Sequence, residues 1–195
     1  MIALTIALLP DQDALNEANR LSQSVSSLGQ TTQVGNLFHI SLFQGFFQEV
    51  ELETIKSQLT SLADSIQIFP LKFHDHLEIS FGHLFWNLEL GDILKTLHTK
   101  IVETLAIKRS GTLSIFLDPN LDWNAEQRSL IQSYGTPHVL RHFKPHITLQ
   151  YNVENYALLN SVKPQRLFFT AHTLILGRIG CYGNLEDVLY SWKLK

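Results

Sequence analysis

The spacing of apolar residues changes several times along this chain, and each change predicts a different element. Residues 1–9 are almost all apolar, as in a buried strand. Between residues 15 and 25 the apolar positions recur three or four apart, which predicts an amphipathic helix that ends near Gly29. Residues 37–44 form a second β-prone run, and residues 52–62 return to helical spacing. The opening of the chain therefore predicts the order β-α-β-α.

The rest of the chain continues the mixture of helices and strands. Residues 66–90 alternate short apolar runs with breaks near Asp75 and Gly82, which indicates two or three antiparallel strands. No low-complexity segment or linker interrupts the chain, so we expect one domain, residues 1–195, made of two related lobes. The same periodicities predict helices over 94–105, 124–134 and 154–161, and strands over 113–117, 166–176 and 187–194.

The cysteine content and the N-terminal sequence bear on the compartment. Cys181 is the single cysteine, so it cannot form a disulfide within the chain, and no Asn-x-Ser/Thr signal is present. The apolar N-terminus follows no Lys or Arg and is closely followed by Asp11 and Asp13, unlike a signal peptide. No apolar run approaches the roughly 18 residues that span a bilayer. We therefore expect a cytoplasmic protein without a membrane segment.

The charge balance bears on the ligand. Fifteen Lys and Arg oppose 18 Asp and Glu, giving a formal charge of −3. Proteins that hold a long nucleic acid through many phosphates usually present a basic stripe, and none is visible in this sequence. A small anionic ligand fits this balance better than a polymer does.

Two short segments share one pattern across more than a hundred positions. Each contains a histidine, an aliphatic residue, a hydroxyl residue and a leucine. Roughly one bare His-x-Ser/Thr match is expected by chance, so the alternating aliphatic residues carry the argument. Side chains alternate between the faces of a strand, so each segment presents an imidazole beside a hydroxyl. We interpret the two segments, Phe38-His39-Ile40-Ser41-Leu42 and Pro145-His146-Ile147-Thr148-Leu149, as parts of one active site.

These paired strands resemble the 2H phosphoesterase superfamily, which includes bacterial 2′-5′ RNA ligase-like proteins and cyclic nucleotide phosphodiesterases. The second motif in full reads Phe143-Lys144-Pro145-His146-Ile147-Thr148-Leu149, and residues 188–194 are similar to the family's usual last strand. The resemblance implies an α+β, bilobal fold, in which two pseudo-symmetric lobes with antiparallel sheets surround a central cleft and helices lie on the outside. It also implies that no metal or other cofactor takes part.

The resemblance further implies roles for four residues. His39 and His146 would be the acid and base pair, and Ser41 and Thr148 would donate hydrogen bonds to phosphate oxygens. Opening a cyclic phosphodiester removes a proton from water and delivers one to the departing sugar oxygen. Two imidazoles with ordinary pKa values near 6.5 can do both at neutral pH, so we expect a bell-shaped pH dependence. Activity on a 2′,3′-cyclic phosphate or a 2′-5′ phosphodiester, in a nucleotide or short RNA, is the leading hypothesis.

The sequence departs from the family pattern in two respects. Ser41 stands where threonine is commoner, which keeps the hydroxyl but loses the β-branch. The separation of the two histidines is also longer than the family leads one to expect. An enlarged region at residues 66–122 accounts for the excess, and it bears on the substrate more than on the chemistry.

Strand alternation adds two candidate binding residues. Phe43 continues the face of His39 and Ser41, where it could stack on a base, although ordinary core packing explains it as well. Lys144 has the same parity as His146 and could reach the phosphate.

Two alternative functions remain open at this point. The first is a nucleotide-binding or RNA-end-binding module that uses the same cleft without turnover. The second is a metal-dependent hydrolase built on His74, His76 and His83, since imidazole is a common zinc ligand. We expect a monomer whose partner is a small nucleotide or short RNA.

Overall fold

The computed structural model describes residues 1–25, 30–31, 37–80, 82–118, 121–151, 153, 162–180 and 183–195. The predicted cap at Gly29, the predicted helix over 154–161 and Cys181 lie outside these residues. No helix in the described part of the chain combines the length and hydrophobicity that a membrane crossing requires. The elements are β1 (Ile2–Pro10), α1 (Gln12–Ser24), β2 (Gln30–Thr31), β3 (Ile40–Phe47), α2 (Leu52–Asp64), β4 (Phe69–Lys72), β5 (Glu78–Ser80), β6 (His83–Asn87), α3 (Asp92–Leu105), β7 (Arg109–Gly111), α4 (Ala125–Tyr134), β8 (His146–Tyr151), β9 (Phe168–Ile179) and β10 (Leu185–Lys193).

Local chemistry sets the boundaries of the helices. The carboxylate of Asp11 accepts a hydrogen bond from the N–H of Ala14 at 2.9 Å and so caps α1. Asn124 and Gln127 form a reciprocal capping box at the start of α4. Gly135 ends α4 with φ at +78°, a conformation that glycine adopts without a steric penalty. These signals are visible in the sequence, and the predicted α1 and α4 are confirmed.

All ten described strands belong to one hydrogen-bonded sheet with antiparallel pairing. Its main order is β10-β9-β1-β3-β8-β6-β5, while β4 pairs with β9, β7 with β3 and β2 with β8. The central neighbours, β3 and β8, share a single residue pair, Ile40 and Ile147. The antiparallel α+β prediction is confirmed, whereas the division into two pseudo-symmetric lobes stays a prediction.

One predicted strand is wrong. Residues 113–117 do not join the sheet, because Ser114–Phe116 form a 3-10 turn. The N–H groups of Phe116 and Leu117 donate to the carbonyl oxygens of Leu113 and Ser114, and the Trp123 indole donates to the carbonyl of Phe116. These groups are therefore engaged locally and not in a strand ladder. The short strand β7 precedes the turn and pairs with β3.

His98 ties α3 to both motif segments. Its side chain is 1% exposed, and its Nδ1 lies 2.8 Å from the carbonyl oxygen of Leu42 in β3. Its Nε2 accepts the N–H of Leu140 at 2.8 Å, and its ring stacks on Phe143 with 3.8 Å between ring centres. Since a carbonyl only accepts and an amide N–H only donates, the ring is neutral and carries its hydrogen on Nδ1. The same bond holds Leu140 at a φ of +55°, which a non-glycine residue rarely adopts.

The buried, neutral state of His98 makes stability depend on pH. Burial lowers the pKa of His98 to about 4, whereas an unfolded histidine titrates near 6.5. The contribution of the neutral ring is complete above pH 6.5 and falls as the pH drops towards 4, by roughly 3 kcal/mol. Urea unfolding at about pH 7 and about pH 4.5 should show this loss. His98→Gln, which cannot titrate, should lose less over the same interval, and equal losses in both proteins would contradict the assignment.

Candidate active site

The two motif strands meet where the predicted alternation requires. Ile40 and Ile147 pair across β3 and β8, and both are fully buried in the core. Their neighbours in sequence point to the opposite face and are half-buried there. On that face they line one cavity of about 360 Å³. The structure therefore brings together the four predicted residues His39, Ser41, His146 and Thr148.

Both histidines are anchored in the same way. Nδ1 of His39 lies 2.9 Å from the carbonyl oxygen of Leu37, and Nδ1 of His146 lies 2.9 Å from that of Lys144. A carbonyl oxygen can only accept, so Nδ1 carries the hydrogen in each ring. Each neutral imidazole therefore keeps the lone pair of its Nε2 for chemistry.

Desolvation dominates the electrostatics of both rings. Burial within the cavity walls lowers the pKa of His39 and lowers that of His146 to about 4. For His146 the bond to the Lys144 carbonyl opposes the shift, the nearby His39 and His83 reinforce it, and the Glu78 carboxylate opposes it weakly. The ordinary pKa near 6.5 assumed from the sequence is corrected. Both rings are neutral at neutral pH in the free protein.

Each motif strand contains a bulge at its leucine. Along β3 the partners of Ile6 and Ala7 in β1 are Phe43 and Ser41, so Leu42 is the extra residue. Along β8 the partners of Leu84 and Phe85 are Gln150 and Thr148, so Leu149 is the extra residue. The bulges fall at the same position in both motifs.

A bulge exchanges the faces of the residues that follow it. After Leu42 the cavity face passes from the odd positions to Gln44, and Phe43 turns into the core, where it is 2% exposed and packs edge-to-face on Phe47. The predicted continuation of the His39 and Ser41 face through Phe43 is therefore wrong. Phe43 still borders the cavity from the core side.

The face exchange gives each motif hydroxyl a fixed partner three residues later. Gln44 donates from Nε2 to the Ser41 hydroxyl oxygen at 2.9 Å. The Tyr151 hydroxyl is hydrogen-bonded to that of Thr148, and burial raises the pKa of Tyr151 to about 12, so the phenol keeps its proton. Gln44 and Tyr151 were missed in the sequence because strict alternation places them on the other face.

The carbonyl groups of the bulged leucines are also satisfied in matching ways. The Leu42 carbonyl accepts from His98 of α3 at 2.8 Å, and the Leu149 carbonyl accepts from the Ser22 hydroxyl of α1 at 3.0 Å. One helix thus supports each motif strand at its bulge.

Strand β6 forms a further wall of the cavity. Leu84 and Trp86 of β6 point into the core, while His83, Phe85 and Asn87 point to the cavity. The Phe85 ring stacks on His146 with 4.1 Å between centres. This wall was missed in the sequence, although the alternation along β6 was a signal that could have found it.

Lys144 reaches the cavity with an exposed side chain. Among the described residues that line the cavity, Lys144 and Glu78 are the two besides histidine and tyrosine that are ionisable. Glu78 accepts a hydrogen bond from Asn87 at 2.6 Å. The cavity therefore offers one ammonium group and no guanidinium from the described residues.

The proposed histidine metal cluster is not assembled. His74 and His76 lie in a turn with 5.3 Å between ring centres, and His76 pairs with Asp75 at 3.0 Å. His83 instead lies against Tyr151 in the cavity wall, with 5.1 Å between ring centres. Within the ranges that the structure describes, no three His, Cys, Asp or Glu side chains come together as a metal site. The three histidines therefore do not support the metal-dependent alternative.

The arrangement of strands and helices is the fold of the 2H phosphoesterases, and the resemblance stated from the sequence is confirmed for the fold. E. coli LigT in its apo form matches with a TM-score of 0.64 and 12% identity over 100% of this chain and 98% of LigT. A crystal structure described only as a phosphoesterase matches with 0.65 and 10% over 100% and 99%. TT0787 of Thermus thermophilus matches with 0.65 and 17% over 99% and 98%. No protein-family model matches the sequence, and no curated protein does.

The geometry of the two rings can be tested directly. Because each Nδ1–H donates to a carbonyl, ¹⁵N NMR of the imidazoles should show the Nδ1–H tautomer for His39 and His146. Both should titrate below pH 6.5, with His146 near 4, because burial lowers the pKa of each. His39→Gln and His146→Gln assign the signals, and His39→Gln should also raise the pKa of His146 by removing a neighbouring positive charge. An Nε2–H tautomer in either ring would contradict this arrangement.

Proposed function

We propose that this protein is a metal-independent phosphodiesterase that hydrolyses a 2′,3′-cyclic phosphate or a 2′-5′ phosphodiester in a nucleotide or short RNA. One observation carries the proposal. Two histidines, anchored through Nδ1 in the same way and each followed by a hydroxyl two residues later, line one cavity. That set of groups suits the transfer of two protons around one phosphate.

The proposed mechanism divides the proton transfers between the two rings. One neutral imidazole takes a proton from water through Nε2 as the water oxygen bonds to phosphorus. The other imidazole, protonated, delivers its proton to the sugar oxygen as the bond from phosphorus to that oxygen breaks. The hydroxyls of Ser41 and Thr148 donate to the non-bridging oxygens, where negative charge gathers, and Lys144 adds a positive charge from the rim.

The acid's proton must arrive with the substrate. Both rings are neutral at neutral pH in the free protein, because burial lowers their pKa values. A phosphodiester carries one negative charge, and an adjacent anion raises the pKa of an imidazole. Substrate binding would therefore be coupled to the uptake of a proton by His39 or His146.

The structural neighbours support a nucleotide as the ligand. LigT has been crystallised with phosphate, with 3′-AMP and with NADP⁺. We extend small-nucleotide binding to this chain as part of the proposal, with a monomeric, cytoplasmic protein whose residues 1–195 form one domain of two lobes. No cofactor is needed by the mechanism, and Phe43 would contribute to the cavity wall.

A second candidate function is a binding module that uses the same cleft without turnover. The observation that favours it is that the free protein holds no protonated acid near neutral pH. Tight nucleotide binding without hydrolysis across cyclic and 2′-5′ substrates would support this candidate over the enzyme.

The activity assay uses 2′,3′-cyclic nucleotides with EDTA present. The wild-type protein should hydrolyse them, and His39→Ala or His146→Ala should lower kcat by about 10² to 10⁴, because each removes one proton-transfer group. Resolving the 2′-phosphate from the 3′-phosphate product identifies the leaving oxygen. His76→Ala, in the exposed turn outside the cavity, is the matched control and should retain activity. Equal rates for wild type and His146→Ala would refute the proposal.

A further inference from the structure

The cavity has a second end that the proposed chemistry does not use. Its walls come from the segments on either side of α4, and we name it the aromatic chamber. It carries no ionised group at neutral pH, because burial lowers the pKa of its histidine to about 4. The chamber consists of Phe116, Leu121, Trp123 and His138.

Internal contacts hold the aromatic chamber in shape. The Trp123 indole donates from Nε1 to the Phe116 carbonyl at 3.2 Å, which fixes the tryptophan against the 3-10 turn. The ring of His138 stands edge-on to both neighbours, with centres 6.1 Å from Phe116 and 5.9 Å from Trp123. The backbone N–H of His138 donates to the Thr136 hydroxyl at 3.2 Å. The chamber is therefore a preformed, apolar and aromatic surface.

The chemistry of the aromatic chamber selects its occupant. A phosphate would meet no cation there, whereas a planar, uncharged heterocycle gains from contact with aromatic rings. The cavity volume of about 360 Å³ falls within the range of small-molecule sites. The other aromatic side chain beside the histidines, Phe85, already stacks on His146. A base held there would compete with that contact.

We propose that the aromatic chamber is a nucleobase subsite, so that the substrate of this cavity is a nucleotide and not a base-free sugar phosphate. This inference rests on the proposed function, and it names the substrate class of the same site. The base would lie against Phe116 and Trp123 while the phosphate lies between His39 and His146.

The experiment compares a nucleoside 2′,3′-cyclic phosphate with ribose 2′,3′-cyclic phosphate, which lacks the base. For the wild type, kcat/KM should be at least about tenfold higher for the nucleotide, since stacking on aromatic side chains has effects of this size. Phe116→Leu and Trp123→Leu should each remove most of that preference, mainly through KM. Turnover of the base-free substrate should be unchanged, which also reports correct folding. Phe168→Leu, an exposed aromatic residue on β9, is the matched control and should keep the preference.

The possible failures are distinguishable. Equal wild-type rates on the two substrates, or equal losses on both in Phe116→Leu and Trp123→Leu, would overturn the nucleobase subsite. If the wild type hydrolyses neither compound, the proposed function fails while the subsite is still tested by binding. In that case 3′-AMP should bind more tightly than ribose phosphate, and Trp123→Leu should abolish the difference. Equal affinities would overturn the subsite.

The matched bulges carry a second, independent inference. Leu42 and Leu149 shift the following residues so that Gln44 contacts Ser41 and Tyr151 contacts Thr148. A hydroxyl rotates freely unless a partner fixes it. The Gln44 amide nitrogen also lies 3.5 Å from the Gly183 carbonyl, which orients the NH₂ group as the donor.

We infer that Gln44 and Tyr151 are positioning residues for the two motif hydroxyls. By donating to the hydroxyl oxygen, each partner leaves the hydroxyl's own hydrogen available to a phosphate oxygen. This inference also rests on the proposed function, because it assigns the hydroxyls to phosphate.

Double-mutant cycles test this role. Gln44→Glu keeps the size of the side chain but cannot donate, and Tyr151→Phe removes only the hydroxyl. Each should lower kcat by about tenfold with little change in KM, because the hydroxyls act on charge that develops in the transition state. Gln44→Glu should have no further effect in the Ser41→Ala background but should keep its full effect in the Thr148→Ala background. Tyr151→Phe should show the reverse.

Two results separate the inference from its foundation. Equal fold-losses in both backgrounds would show that the pairs do not act through their hydroxyls. If the wild type has no activity, the cycles are measured as affinities for inorganic phosphate, in which the same selective loss is expected, and its absence overturns the inference.

Discussion

The candidate site depends on how two extra residues are accommodated in the central strands. Leu42 and Leu149 each interrupt a ladder, and a residue inserted in this way is left without its regular pairing. An unpaired carbonyl buried in the core would cost stability. His98 of α3 and Ser22 of α1 supply the missing donors. These two bonds allow the bulges, and the bulges in turn decide which side chains enter the cavity.

The same constraint links packing to electrostatics. His98 must stay neutral, since its Nε2 accepts from a backbone N–H and its Nδ1 donates to a backbone carbonyl. His39 and His146 are held neutral by burial as well, but their Nε2 atoms remain directed to chemistry. One residue type thus has two uses here. In the core both ring nitrogens are engaged with backbone, whereas at the cavity the carbonyl of the second preceding residue engages only one.

Much of this fold was predictable because apolar period reports element type directly. The helices α1 to α4 and the strands between residues 66 and 90 were predicted in order, and strand alternation brought His39, Ser41, His146 and Thr148 together. A bulge escapes such reasoning, because Leu42 and Leu149 are apolar and leave the sequence pattern intact. The lowered pKa values were also invisible, since they depend on walls such as Phe85 that come from a different strand. The run at 113–117 misled because an apolar run does not reveal whether a ladder partner exists.

The two ends of the cavity come from different kinds of structure. The histidine end is built on paired strands, where the backbone ladder and the core isoleucines hold the side chains in register. The aromatic chamber is built on a 3-10 turn and on the segment that follows α4, so its shape depends on side-chain contacts such as that of Trp123 with the Phe116 carbonyl. Changes at the strand end would alter every residue of the motif, because a register shift exchanges faces. Changes at the chamber end alter one wall at a time, so the substrate can vary there without disturbing the groups that move protons.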